Sequence, residues 1–546
     1  MKRYFWILAA ALVSLAACDK NELQNGKEEE SDSSAVAYIR AIGGDDASKA
    51  FIDNTTAAFT WSTGDTIAVY TTDGYKISDG LASTYNGTNA ATFSFSGANA
   101  VTEANRADFA FYPASLVHGS NDGIKPNSAA HHTATDLVVR LRDKYSLSEV
   151  SGDKAPTPMI ATNDPNGDLS FKALCPLIRF TVRNIPKQTH SIDFKFDGET
   201  VSGEFIIAST VTPGTSGITK AGDSAEVEYS LESVGSVRTK AVVTDPDVIS
   251  VINLGISAWV DQLVINLPVP IGDYGKITIT ARDNGGDAIL SQTVWPNGTS
   301  DWTGTRKASK KLTVSLPVFS LGANKKGIFA PGNLLYDGSW HFLAGQYNIL
   351  GAGAQADNNR DLFGWGTGTA PNETSTDDAT YSAFNDWGAN VIDSYAANTW
   401  RTPTDSDWAM VFATRSTANK FVPAVIQTPN RYGILIFPDD YTAPAGLSIA
   451  FSNINDNSTN PIPYTSNMIS DADWLLLESV GCVFLPYAGE REGTTAANYS
   501  DGVYWSSTTS TATSAATVFF QSASFGWNNP VAKHRGVAVR LVRDLN

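Results

Sequence analysis

Segments in which apolar and polar residues alternate with a period of two constrain the fold of this chain most strongly. The alternation is clear in four segments, at residues 178–183, 192–196, 262–267 and 311–316. Because successive side chains of a strand point to opposite faces, each segment predicts a strand with one buried and one solvated face. Many short strands of this kind, separated by Gly, Asn, Asp and Pro clusters, are typical of antiparallel sandwiches. Residues 35 to about 316 are therefore predicted to be mainly β.

The length of the chain predicts more than one domain, and its charge excludes some classes of partner. A chain of 546 residues exceeds a single core, and the passage from Pro176 to Pro186 marks the entry into a second sandwich, so that the predicted sandwich domains are 35–175 and 176–320. The sequence has 39 basic and 56 acidic residues, a formal net charge of −17. Since an acidic surface repels phosphates and anionic lipid, nucleic-acid binding is disfavoured.

The first 18 residues resemble a bacterial lipoprotein signal peptide. Lys2 and Arg3 precede an apolar run at 4–17, and Leu-Ala-Ala-Cys ends at Cys18. The run is shorter than the span of about 20 residues that a membrane helix needs, so a cleaved export signal is the better interpretation. Residues 1–17 are the predicted signal and Cys18 the predicted lipidation site. Acyl chains on Cys18 would anchor the protein at about 0.8 kcal/mol per buried CH₂.

Residues 18–34 are predicted to form an acidic, solvated tether, since Glu28-Glu29-Glu30-Ser31-Asp32 has no apolar partner. Asp19 beside the lipid resembles an inner-membrane retention signal of enteric bacteria, whereas acidic residues at this place suit surface export in Bacteroides-type bacteria. The sequence does not decide between retention at the inner membrane and export to the surface. We expect an outer-membrane or cell-surface lipoprotein. Cys175 and Cys482 lie in apolar runs and are predicted to be buried thiols rather than a disulfide.

Four spaced motifs resemble the fimbrillin-like lipoproteins of Bacteroides-type bacteria. They are FTWSTGDTIAVY at 59–70, ADFAFYP at 107–113, PMIA at 158–161 and LSFK at 169–172. The resemblance covers about residues 36–316 and implies two transthyretin-like β-sandwiches. It also implies assembly by donor-strand exchange, in which a protease removes the N-terminal strand and another subunit inserts a strand into the groove.

The candidate for the removable strand is the apolar segment at 35–42, followed by Gly43-Gly44-Asp45-Asp46. Processing in the family usually follows an Arg-Ala pair after that strand. Here Arg40-Ala41 lies within the segment, and Lys49-Ala50 occupies the expected place. Both bonds stay open as processing candidates.

Residues 327–546 have a different character, and they predict an α+β domain. Thr404 and Ser470 are predicted N-caps, because each is followed three residues later by an acidic residue, Asp407 and Asp473. The residues predicted to face the core from these two helices are Trp408, Val411, Phe412, Trp474 and Leu477. Predicted strands lie at 483–486, 502–507, 517–520 and 536–542.

The same region resembles the Fibrobacter-succinogenes-type paralogous domain of exported Bacteroidetes proteins. The motifs are FAPGNL at 329–334, DLFGWG at 361–366 and LPYAG at 485–489. The resemblance implies the fold shared by C-type lectins and the formylglycine-generating enzyme. It implies a fold rather than a ligand, since this fold hosts lectins, enzymes and inert modules.

Sequence motifs for catalysis or metal binding are missing, so no enzyme activity, cofactor or metal is expected. The histidines at 118, 131, 132, 190, 341 and 534 are scattered and are predicted to be solvated or hydrogen-bonding residues. Residues 357–361 carry possible oxygen ligands at alternate positions, as a calcium-binding loop does. Leu362, however, occupies the position at which an EF-hand loop requires glycine, so no calcium site is predicted. Cys482 alone could not form the copper site of formylglycine-generating relatives.

Sugar binding would need an exposed aromatic ring beside amide and carboxylate groups. The candidates are Asn385, Asp386, Trp387, Trp527, Asn528 and Asn529. The alternative is that both tryptophans pack in a core or a loop, and it is favoured because the domain is rich in tryptophan.

Two functions from different classes remain. The leading hypothesis is a fimbrial subunit that joins other subunits by strand exchange and displays a lectin-like domain toward carbohydrate or a host surface. A tip position is expected, because residues 537–542 would close the terminal domain and only 543–546 follow, too few for a donor strand. The alternative is a surface lipoprotein that binds glycan and never polymerises; an enzyme on the lectin-like fold ranks third.

Overall fold

The computed structural model describes most of the chain, and what it describes is mainly β. The described residues are 37–43, 61–71, 74–101, 109–114, 138–152, 155, 157–163, 169–173, 175–209, 229–233, 245–298, 300–304, 308–351, 355–444, 446–451, 463–497, 499–521 and 524–546. The predicted signal peptide, Cys18, the acidic tether, Lys49 and Ala50 lie outside them. Within these ranges no helix is both long and apolar enough to span a bilayer.

The N-terminal part of the chain is built on a seven-stranded sheet. Its elements are β1 (Ala37–Gly43), β2 (Ala68–Thr71), β3 (Gly74–Ile77), β4 (Ala90–Phe95), β5 (Phe109–Tyr112), β6 (Val138–Leu141), β7 (Lys144–Ser146), α1 (Leu147–Val150), β8 (Met159–Asn163) and β9 (Leu169–Ala173). The strand order is β3-β2-β5-β8-β9-β1-β4. Val69 of β2 and Phe93 of β4 belong to one apolar cluster, although these strands lie near opposite ends of the sheet. The sheet therefore curves around a single core.

Trp61 is the centre of this first core. The indole is fully buried and meets the rings of Phe93, Tyr112 and Phe171 edge-on, at centroid distances of 5.0, 5.3 and 5.6 Å. These rings come from strands β4, β5 and β9, so one side chain joins three strands. Ile67, six residues further along the same motif, is also fully buried and belongs to the same cluster.

The second unit has two sheets that face each other across one core. Its strands are β10 (Leu177–Ile185), β11 (Ser191–Phe196), β12 (Gly203–Ser209), β13 (Tyr229–Ser233), β14 (Val248–Ile252), β15 (Val260–Pro268), β16 (Gly272–Tyr274), β17 (Ile277–Arg282), β18 (Ala288–Val294), β19 (Trp302–Gly304) and β20 (Ser309–Ser315). The facing sheets run β15-β10-β20 and β18-β17-β11-β14-β7. Phe180 and Phe194 meet between them, at a centroid distance of 4.5 Å. Burial alternates along β10 and β11, as the period-two pattern predicts.

The second unit also takes in residues that precede the predicted boundary at 175. Strand β7 pairs in parallel with β14, and β6 pairs with β12 in a further sheet of order β13-β12-β6. Tyr145 and Val150 are buried in the core of the second unit. The chain then returns to the first sheet for β8 and β9. Part of the segment that the sequence assigned to the first unit, β6 to α1, therefore belongs to the second unit. Cys175 and Cys482 are both free and buried, as predicted.

The remaining elements form the terminal domain. They are β21 (Phe319–Gly322), β22 (Lys325–Phe329), β23 (Leu334–Tyr336), β24 (Trp340–Phe342), α2 (Asp405–Ala409), β25 (Phe421–Ile426), β26 (Arg431–Ile436), β27 (Met468–Ile469), α3 (Asp471–Ser479), β28 (Val483–Pro486), β29 (Glu490–Glu492), β30 (Thr495–Ala497), β31 (Gly502–Thr509), β32 (Ser514–Gln521), β33 (Ser524–Ala532) and β34 (Val542–Asp544). Its larger sheets run β27-β25-β26-β28, β31-β32-β33 and β21-β22-β34.

Both predicted helix starts are confirmed. The Thr404 hydroxyl accepts the Asp407 N–H at 3.1 Å, and the Asp407 carboxylate accepts the Thr404 N–H at 2.8 Å. The Ser470 hydroxyl accepts the Asp473 N–H at 3.1 Å. These bonds satisfy N–H groups that have no partner within the helix. The five side chains predicted to face the core from these helices are buried.

The predicted strand at 536–542 is only partly a strand. Val537 bridges Phe363, Ala538 bridges Tyr504, and a regular strand begins only at Val542. The reason is that this segment passes several elements in turn instead of lying beside one. Val537, Val539 and Leu541 are nevertheless fully buried.

The second unit and the terminal domain pack directly on each other. Leu545 is buried in the core of the second unit, and its carbonyl accepts the Lys187 N–H at 3.0 Å. On the other side of this joint, the Asp439 N–H donates to the Val318 carbonyl at 2.9 Å.

Candidate assembly and recognition sites

Strand β1 lies inside the first sheet, between β4 and β9. It pairs antiparallel with β4 over six positions, from Ala37 opposite Phe95 to Ile42 opposite Ala90. Its C-terminal half pairs in parallel with β9, with Ala41 opposite Leu169. Among the described strands, β1 alone connects β4 to the rest of the sheet. The segment predicted to be the removable strand is thus hydrogen-bonded on both sides.

The register of β1 places alternate positions over the core. Positions 37, 39 and 41 stand opposite Phe95, Phe93 and Ala91, all of which are buried, and β4 alternates between half-buried and buried residues. Residues directly opposite each other in an antiparallel pair share one face. The floor of the slot that β1 occupies is therefore apolar.

The structure describes one of the two processing candidates. Arg40 and Ala41 are central in β1, opposite Thr92 and Ala91 of β4. A protease needs backbone that is free of other hydrogen bonds, so pairing protects the Arg40-Ala41 bond in the folded precursor. Lys49 and Ala50 lie outside the described residues, and the Lys49-Ala50 bond stays a prediction.

Trp387 cannot serve as a sugar platform, so it is wrong as a glycan-binding candidate, and the favoured alternative that it packs in a core is confirmed. Its side chain is 0% exposed, and its ring packs 5.8 Å from that of Phe384, measured between centroids. The Asp386 carboxylate accepts the Gly388 N–H at 2.9 Å and the Thr402 hydroxyl at 2.8 Å. The Asp386 carboxylate, one of the polar groups that suggested an exposed ring, is thus bound within the protein. Asn385 is exposed, beside a ring that is not.

Trp527, Asn528 and Asn529 lie elsewhere, on β33 at the edge of its sheet. Trp527 is half-buried against Phe525, with ring centroids 5.9 Å apart, whereas Asn528 and Asn529 are exposed. The two tryptophans belong to different core clusters, so the structure does not combine the candidates into one site. The edge of β33 keeps an aromatic ring next to two exposed amides.

The acidic segment at 357–361 already uses its oxygens. Asp361 is buried and accepts the Leu350 N–H at 2.7 Å and the Gln355 amide N–H, while Asp357 pairs with Arg360 at 2.7 Å. Desolvation raises the pKa of Asp361 to about 6. No group of three or more ligating side chains suited to a metal occurs in the described part of the chain.

Two features escaped the sequence analysis. Arg540 is fully buried and donates to backbone and amide oxygens of the terminal domain. Ser339, His341 and Asp393 form a hydrogen-bonded row on the surface. The only sequence signal for that row was the i, i+2 spacing of Ser339 and His341, which places both on one face of a strand.

Comparisons with known proteins yield structural likeness only. No protein-family model and no curated protein matches the chain. A candidate cell adhesion protein from Bacteroides ovatus aligns at 13% identity over 52% of this chain and 92% of its own, with a TM-score of 0.27. A fimbrial protein from Bacteroides ovatus aligns at 11% identity over 92% of this chain and 99% of its own, with a TM-score of 0.19. The tip fimbrial protein Mfa3 from Porphyromonas gingivalis, with a C-terminal truncation, aligns at 10% identity over 48% and 82%, with a TM-score of 0.16. No residue of this chain takes a role from them.

Proposed function

We propose that this chain is a fimbrial subunit of the cell surface that accepts a strand from another subunit and occupies the tip of the fibre. The observation that carries the proposal is the position of β1 between β4 and β9. Its removal would leave two unpaired strand edges about 10 Å apart, twice the spacing of neighbouring strands. A strand from another subunit would then form backbone hydrogen bonds on both sides.

The side chains beneath this slot favour its refilling. Phe93, Phe95 and Phe171 are all at most 2% exposed while β1 is in place. Burying one such ring is worth about 1.5–3 kcal/mol. An emptied slot would expose part of this surface, and an incoming strand with alternating apolar residues would cover it again.

The terminal domain supports a tip position. A shaft subunit must also donate a strand, and the last alternating segment, at 537–542, is held in the core by Val537, Val539 and Leu541. Arg540 fixes the same segment through hydrogen bonds to Asn333 and to the carbonyls of Ala330, Gln346 and Phe484. Withdrawing it would dismantle the domain, so this chain accepts a strand without donating this one.

The outward face would then contact carbohydrate or a host surface, through the Trp527–Asn529 edge of β33. Cys18 would carry the lipid that places the protein at the outer membrane or cell surface. The partners would be other fimbrial subunits, the class to which two of the solved structures belong by name.

Peptide exchange tests the strand slot directly. A site for a sequence-specific protease is inserted between residues 46 and 47, and the full chain is cut and incubated in mild urea with a fluorescent peptide of residues 35–43. We expect saturable binding of the peptide to the cut protein and none to the uncut protein. The matched control is the same peptide with Arg40→Pro, which removes an N–H from the ladder and should bind at least about tenfold more weakly.

Equal binding of both peptides, or no binding after cutting, would contradict the strand slot and favour the non-polymerising glycan-binding lipoprotein. Immunogold labelling tests the tip position separately. Label repeated along fibre shafts would contradict it, even if the peptide binds.

A further inference from the structure

Ser339, His341 and Asp393 are aligned as a hydrogen-bonded row on the surface of the terminal domain. The Ser339 hydroxyl lies 2.7 Å from Nε2 of His341. The other ring nitrogen, Nδ1, lies 2.8 Å from Oδ1 of Asp393. Ser339 is exposed, and the side chains of His341 and Asp393 are 36% and 37% exposed, so all three can be reached from solvent.

Backbone pairing explains why these residues meet. Trp340 and Ile392 form a parallel bridge and are both buried. The sequence neighbours of this buried pair, Ser339, His341 and Asp393, are partly or largely exposed, and so is Val391, at 61%. The bridge brings the segment at 339–341 next to the segment at 391–393.

The backbone holds the Asp393 carboxylate in a fixed orientation. Asp393 adopts φ +51°, a left-handed conformation that aspartate tolerates better than most residues. Its N–H donates to the Trp340 carbonyl at 3.0 Å, and its Oδ2 accepts the Phe342 N–H at 3.0 Å. These two bonds fix the carboxylate beside the His341 ring.

The row has the chemistry of an activated serine. When Nδ1 of His341 donates its proton to Asp393, Nε2 is the acceptor left for the Ser339 hydroxyl. A serine whose proton can pass to an oriented imidazole is a nucleophile. Asp337 lies 3.3 Å from Nε2 and would stabilise the imidazolium that results.

We propose that Ser339 is the nucleophile of an esterase site for short acyl esters, with His341 as general base and Asp393 orienting the imidazole. Oγ of Ser339 would attack the acyl carbonyl carbon while its proton passes to Nε2. The bond between the acyl carbon and the ester oxygen breaks, and the alcohol leaves with that proton. Water then hydrolyses the acyl-serine, so that ester and water give a carboxylic acid and an alcohol.

The surroundings of the row define the substrate class. The site lies on an outer face, so a large alcohol portion can extend into solvent. Because the three side chains are open to solvent, the site suits an acyl group of two to about four carbons rather than a fatty acyl chain, whose burial would need an apolar groove.

Hydrolysis of 4-nitrophenyl acetate and labelling by a fluorophosphonate probe test the proposal on the full chain, with peptide mass spectrometry to locate the label. We expect labelling at Ser339, no labelling of Ser339→Ala, and at least about a hundredfold slower hydrolysis for His341→Gln. Asp393→Asn tolerates the left-handed backbone and should slow hydrolysis while the fold is kept. The control is Ser382→Ala, an exposed serine in the same domain, which should retain the wild-type rate.

A purely structural role of the row predicts different results. In that case Ser339→Ala and wild type would hydrolyse the ester at one rate, and the probe would label no residue or several serines equally. Either result would overturn the proposal. Thermal unfolding of each variant is measured in parallel, and a rate loss without a change in unfolding supports the catalytic role. The site is independent of strand exchange, so neither proposal depends on the other.

Discussion

Replacing Arg540 with methionine should destabilise the terminal domain by about 5 kcal/mol. The fully buried guanidinium donates to four acceptors at 3.0–3.1 Å, and methionine keeps the apolar length but donates to none. An acceptor left unsatisfied in a core costs about 1–3 kcal/mol, so four of them cost about 8 kcal/mol at the middle of that range.

An opposing effect reduces this loss. No carboxylate pairs with Arg540 in the described structure, and desolvation lowers its pKa to about 10, which leaves the side chain charged at neutral pH. Removing a poorly compensated buried charge recovers about 3 kcal/mol. The lost hydrogen bonds still prevail, and about 5 kcal/mol is a large part of the stability of an ordinary domain, about 5–15 kcal/mol.

Native-state hydrogen exchange measures this loss within the intact chain. The amides of Ala330 and Leu343 report on it, because both are hydrogen-bonded beside the acceptors of Arg540. The control is Arg543→Met, at a half-buried arginine three residues further along. The reasoning is refuted if Arg540→Met and Arg543→Met change the free energy of opening by the same amount.

Three further predictions follow from the same observations. Cys18→Ala should move the protein from the membrane to the soluble fraction; a variant that stays membrane-bound would exclude Cys18 as the lipid anchor. Because folding raises the pKa of Asp361 from 3.8 to about 6, its stability contribution is greatest below pH 4 and is lost as the pH rises to about 6. Asp361→Asn should therefore flatten the fall in melting temperature between pH 4 and 7, whereas parallel profiles would contradict the assignment. Trp527→Ala should weaken binding on a glycan array at least about tenfold while Asn385→Ala leaves it unchanged, and equal binding by all three proteins would remove β33 from consideration.

Local physics explains which parts of the fold could be predicted. Strands such as β10 and β11 could be predicted from the period-two pattern of their own residues. The helix starts at Thr404 and Ser470 could be predicted because an N-cap bonds to a residue only three positions away. The exchange of β6 and β7 into the second unit could not be predicted. The choice of β14 as the partner of β7 depends on residues about a hundred positions away, and no local pattern encodes it.

For the candidate sites too, local features could be predicted from the sequence, whereas contacts between distant residues could not. The apolar character of the N-terminal strand was visible in the sequence, but the two strands that pair with it were not. For Trp387 the favoured alternative of packing is confirmed, but its cause was not readable: Asp386 looks solvated in sequence, whereas its carboxylate accepts backbone N–H groups around the ring. Asp393 is 52 residues from His341, too far for any motif to join them.

The joint that Leu545 makes with the second unit determines how the molecule carries mechanical load. The terminal domain is attached there twice, covalently through the chain that enters β21 and non-covalently through Leu545, next to the strand pair β22–β34. A pull on the far side of the domain would load both attachments together, because the domain cannot swing on its covalent link without withdrawing Leu545 from the core of the second unit. If the chain stands at the end of a fibre as proposed, this double attachment would resist hinging at the last domain and pass tension on to the second unit.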